Sequence, residues 1–166
     1  MRRYRLAIIA TLVLASCGSD PSLPLGIGEP TWPTEATAYA DVFSAMPDEV
    51  GGLPRQEGGI LGATYGDPKG DETLSVYAED LGGAECPGLS GVSLLRATLE
   101  EQGDLTIDES SPEGVEDPTY LFGSRPDGTL VAAWTVPDCA WVVVVEASTP
   151  ALRDAGVEAV VGAAST

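Results

Sequence analysis

Apolar and polar positions change their period several times along the chain, and each change marks an element. Between Thr34 and Met46, the residues Tyr39, Val42, Phe43 and Met46 recur at helical spacing and Pro47 closes the segment, which predicts a short helix. After the turn PDEVGG come two alternating runs, Gly59 to Tyr65 and Thr73 to Glu79. In the second, Leu74, Val76 and Ala78 alternate with Ser75, Tyr77 and Glu79, the signature of a half-buried strand, and the polar GDPKGDE between the runs predicts a hairpin. Ser90 is placed as an N-cap, Leu89 and Leu94 as a hydrophobic staple and Gly103 as a stop, so a second helix should turn Val92, Leu95 and Leu99 inward. Short runs follow at Leu105 to Asp108, Thr119 to Ser124, Leu130 to Val136 and Trp141 to Ala147, with Asp127-Gly128 and Pro137-Asp138 marking turns. Trp141 to Val145 is continuously apolar, which predicts an interior strand covered on both faces. Thr149 before Pro150 opens a final helix with an N-cap and a proline in the first turn, and Leu152, Gly156, Ala159, Val160 and Ala163 would line its packed face.

This order predicts an α+β fold: a single domain with an antiparallel sheet of about five to six strands and helices mainly on one face. No internal repeat interrupts it. About 130 residues are enough to bury roughly two-thirds of the unfolded chain's surface.

The first residues follow a different logic. Arg2, Arg3 and Arg5 precede an apolar run from Leu6 to Leu14, then the small Ala15 and Ser16, then Cys17. Basic, apolar and small residues in that order make an export signal. The apolar run is far short of the ~20 residues that a membrane-crossing helix needs.

Leu14-Ala15-Ser16-Cys17 resembles the lipobox of bacterial lipoproteins. The resemblance implies cleavage between Ser16 and Cys17 by the lipoprotein signal peptidase and a diacylglyceryl thioether, bearing two palmitate-type acyl chains, on the Cys17 sulfur. Two chains give stable anchoring where one gives only marginal binding. The expected organisation is a removed signal peptide at 1–16, a lipidated cysteine and tether at 17–33, and an exported domain at 34–166. Pro21, Pro24, Pro30, Pro33 and three glycines make the segment 18–33 a spacer, which would reach roughly 20–50 Å depending on how extended it is. Trp32, within it, would either pack back on the domain or sit at an interface. Arginine outnumbers lysine seven to one and alanine, glycine, valine and proline are abundant, and beyond the lipobox the domain looks like the small envelope lipoproteins of actinobacteria, which implies the outer face of the cytoplasmic membrane.

Charge narrows the partners. All acidic residues lie after Cys17, and 26 of them against Arg55, Lys69, Arg96, Arg125 and Arg153 give the mature chain a net charge of −21. This charge argues against nucleic acid as a partner, since phosphates need cations, and an anionic lipid surface would repel the domain. Contact with the bilayer is expected only through acylated Cys17. The remaining cysteines, Cys86 and Cys139, would be exposed to an oxidising compartment, which favours a disulfide. Closing its loop would be worth roughly 4 kcal/mol in the chain-entropy view, and would pin the second helix to the sheet.

The sequence holds no histidine, which removes histidine-assisted nucleophiles and ordinary zinc sites. Its one lysine, Lys69, lies in a turn, and no phosphate-binding or dinucleotide glycine pattern occurs. No cofactor and no catalytic residue are expected. Asp67, Asp71 and Glu72 are candidate oxygen ligands for calcium, although their spacing is not that of an EF-hand and a polar hairpin turn accounts for them equally. Trp134 and Trp141 flank the predicted Pro137-Asp138 turn. If that loop has two residues they face each other across the strands, either as an exposed platform for a sugar or peptide or, the favoured reading, as core residues. Tyr65, Tyr77 and Tyr120 carry the same ambiguity. The residue types favour a non-catalytic binding or accessory module that engages an envelope protein or a cell-wall ligand. The alternatives are a carboxylate-based hydrolase of envelope glycans, needing two carboxyl groups about 5–9 Å apart, and a carrier with a cavity of ~300 Å³ or more for a small apolar ligand.

Overall fold

The computed structural model describes residues 32–33, 35–56, 58–67, 69–81, 91–111, 119–136 and 141–166. Along the chain these form α1 (Ala36–Ala45), β1 (Glu49–Val50), β2 (Leu53–Pro54), β3 (Gly62–Gly66), β4 (Thr73–Asp80), α2 (Gly91–Glu100), β5 (Thr106–Ser110), β6 (Tyr120–Ser124), β7 (Leu130–Thr135), β8 (Trp141–Ala147) and α3 (Pro150–Ala164). The α+β class follows from the order: six strands in one sheet, β3-β4-β8-β7-β6-β5, with every neighbouring pair antiparallel. The run Trp141 to Val145 lies in the sheet's interior, between β4 and β7.

Strand periodicity sorts side chains onto two faces. On the first, Leu74, Val76, Trp134, Val143 and Val145 meet Tyr39 and Phe43 of α1 and Leu152, Val157 and Val160 of α3. On the second, Leu121, Val131, Ala133, Val142 and Val144 meet Leu95 and Leu99 of α2. The helices are thus divided two to one, with α2 alone on its face. Val142 and Val144 are buried completely beneath it, each worth ~1.5–3 kcal/mol relative to exposure.

Local chemistry sets the ends of these elements. The Thr149 hydroxyl accepts from the Leu152 N–H at 3.3 Å, and Pro150 occupies the first turn of α3. Val157 joins the packed face of α3, while Ala159 and Ala163 are only half-buried. The PDEVGG segment is more than a turn. Gly51 and Gly52 have φ of 60° and 82°, the paired left-handed conformation that joins a tight hairpin, and so β1 and β2 pair across them. The next run begins as a strand at Gly62, later than Gly59, and leaves Ile60 78% exposed on a loop.

Candidate functional site

The proposed aromatic platform does not form. Trp134 and Trp141 are 0% and 2% exposed, inside the first-face core. They are also not opposed across the strands. Trp134 pairs with Val143, and the Val136 N–H donates to the Trp141 carbonyl, so the connection runs from 137 to 140 and exceeds two residues. Trp134 packs against Trp32, with ring centroids 5.8 Å apart, and Trp141 stacks on Tyr39 at 4.6 Å. Trp32 therefore folds back on the domain. Tyr65 is fully buried and donates its hydroxyl to the Pro47 carbonyl at 2.9 Å, and Tyr120 is nearly buried and donates to Glu109 at 3.0 Å. Burial pushes the Tyr39, Tyr65 and Tyr120 hydroxyls above the usual phenol range.

The acidic turn between β3 and β4 is held by a hydrogen bond of its own. The Asp67 carboxylate accepts from the Lys69 N–H at 2.9 Å, closing the turn on itself. Among the described residues no three histidine, cysteine or acidic side chains gather at a possible metal position. Cys17, Cys86 and Cys139 lie outside the described residues, as does the Ser90 cap. Among the described residues, no helix is long and apolar enough to cross a membrane.

What the structure does assemble is a polar corner on the second face, beyond the edge of α2. The register sets Thr64 beside Ser75 and Ser75 beside Glu146, a row crossing β3, β4 and β8. Tyr77, two residues from Ser75, shares their face, and its strand neighbour on β3 is Gly62. A Cβ on Gly62 would lie 3.1 Å from the Tyr77 Cβ and 3.0 Å from the Val76 carbonyl oxygen, so only glycine keeps this wall open. Together these residues and Leu61 line a solvent-open groove of about 410 Å³.

Arg125, at the end of β6, holds the corner together. Its Nε and Nη2 donate to Glu146 Oε1 at 3.2 and 2.9 Å. Nη1 donates to the Leu99 and Gly103 carbonyls, each at 3.3 Å, at the C-terminal end of α2. A cation there satisfies open carbonyls and complements the negative end of the helix. Gln102 receives Nη2 and the Tyr77 hydroxyl on one oxygen and donates to Glu79. Burial, then the carboxylate of Glu146, pushes the Tyr77 hydroxyl up to about 12. No charge pattern in the sequence pointed to Arg125. Only the Arg-Pro-Asp-Gly turn, which ends β6 at that residue, hinted at its position.

A second groove, of about 380 Å³, lies between α1 and the loop carrying Ile60. Its cation is already engaged: Arg55 donates to the Phe43 and Met46 carbonyls at 2.7 and 3.1 Å, closing the C-terminal end of α1.

Compared with known proteins, the chain matches no family model, no curated protein and no solved structure.

Proposed function

We propose that this protein is a lipid-anchored, non-catalytic binding or accessory module held by Cys17 at the outer face of the cytoplasmic membrane. The observation that carries the binding role is the open corner over β3, β4 and β8. There the sheet presents a row of polar side chains that no helix among the described residues covers, beside a face that α2 otherwise seals. Sites built on strands hold their groups in place and lose little entropy on binding.

The alternatives gain no support from the grooves. Hydrolysis by carboxylates needs a pair, whereas among the described residues Glu146 is the one carboxylate lining the first groove and none lines the second. A carrier needs an enclosed apolar cavity, and both grooves are open and mixed in polarity.

The test is photo-crosslinking in intact cells, comparing the native chain with a Cys17→Ala form that cannot be acylated. We expect an envelope component to be trapped by probes placed around the corner, and only with the anchored chain. Equal trapping by both forms would remove the role of the anchor. No trapping from any face would remove the binding module.

A further inference from the structure

We propose that the groove over β3, β4 and β8 is a binding site for a neutral saccharide, with Thr64, Ser75 and Glu146 as its hydrogen-bonding row. The proposal rests on the binding-module reading and names a ligand class for it.

Three features select the ligand. First, the row retains hydrogen-bonding capacity. Among the described residues, neither the Thr64 and Ser75 hydroxyls nor Glu146 Oε2 has a partner, because Arg125 occupies only Oε1. A hydroxyl both donates and accepts, and a carboxylate oxygen accepts. The row therefore offers both sides of the hydrogen bond to sugar hydroxyls, at strand intervals of ~4.8 Å. Second, Tyr77, on the same face, adds apolar surface beside the row, suited to the C–H faces of a sugar ring. Third, the charge within the row itself is offset. Arg125 beside Glu146 offsets the carboxylate, so an ammonium ligand meets a cation as well as an anion. An anionic ligand meets the field of a chain whose mature form carries −21. A neutral polyol escapes both penalties. The volume of about 410 Å³ sits at the small end of the ~300–1,000 Å³ found for small-molecule sites, the scale of one or two sugar rings.

The experiment is an amide NMR titration of the isotopically labelled full chain carrying Cys17→Ala. Probes are N,N′-diacetylchitobiose and cellobiose, with spermidine as the cationic comparison. We expect saturable shifts with a saccharide, confined to Gly62 to Thr64, Ser75 to Tyr77 and Val145 to Ala147. The double variant Thr64→Val, Ser75→Ala should weaken that binding at least tenfold while leaving the rest of the spectrum in place, and Ser44→Ala in the other groove should leave it unchanged. Absence of saturable shifts with both saccharides, saturation by spermidine alone, or shifts mapping to another face would overturn the proposal. A partner trapped in cells together with a silent titration would remove the saccharide and keep the binding module. Silence in both experiments would remove both.

Discussion

Arg125 and Arg55 solve the same problem at two helix ends. Each directs a guanidinium at the last carbonyls of a helix, and Arg125 also carries an ion pair to Glu146. The Arg125 and Glu146 side chains are 11% and 26% exposed, so the pair is screened less than a surface one and its loss leaves a partly buried carboxylate unpaired. Arg125→Ala should cost about 2–3 kcal/mol in urea unfolding, given that hydrogen bonds to charged groups contribute ~1.5–3. A loss under ~0.5 kcal/mol would place the pair among surface bridges of little consequence. Trp32 gives a second expectation. Nearly buried against Trp134, it should cost ~3 kcal/mol on replacement by alanine, as large aromatic truncations in cores do. An unchanged unfolding midpoint would mean that the ring only rests on the surface. The role of Arg125 was hidden in the sequence, and that of Trp32 was left open between packing back and an interface, for one reason. A side chain that acts between elements far apart in the chain leaves no local period, and Trp32 sits among prolines and glycines that read as spacer.

Elements were more legible, because their signals are local. The N-cap and proline of α3, the alternation in β4 and the continuous apolarity of β8 each have a backbone cause that a short stretch of sequence carries. The hairpin β1–β2 was missed because its strands have two residues each, too few to show a period. Packing between elements is tested by two glycines of α3. A Cβ on Gly156 would lie 2.7 Å from Leu74 Cδ1 and 2.9 Å from Val145 Cγ1, both in a closed core, whereas one on Gly162 would meet nothing within 4 Å. Alanine gains up to ~1 kcal/mol of helix propensity at either place, but overpacking costs ~1–3 kcal/mol at the first. Gly162→Ala should therefore stabilise by ~0.5–1 kcal/mol and Gly156→Ala should destabilise by about 1 kcal/mol, measured as shifts of the urea midpoint at constant slope. Stabilisation by both would show that the sheet yields to α3 and that Gly156 is not a contact the fold requires.

At the scale of the whole molecule, the strand set was readable and the pairing of β8 with β4 was not. The two strands are separated by α2 and three other strands, and nothing local specifies that they join. That join sets Ser75 beside Glu146, so the open corner was beyond reach even though Tyr77 was already in view. The same closure gives the molecule an alkaline weakness. Tyr39, Tyr65, Tyr77 and Tyr120 all have hydroxyls raised above the usual value of 10, chiefly by burial. A raised folded value means that, once pH passes 10, the unfolded chain releases protons that the folded chain still holds. Stability is therefore complete below pH 10 and falls as pH rises toward the folded values, about 12 for Tyr77. Few other groups confuse the reading, since the chain has one lysine and five tyrosines. Urea unfolding at stepped pH from 8 to 11.5 should show a plateau and then a steady decline. Tyr77→Phe should lower the plateau, through loss of the bond to Gln102, yet make the decline shallower. A variant with the same slope as the parent would show that Tyr77 ionises as freely in the folded protein as in the unfolded chain, and that the corner is wetter than its geometry implies.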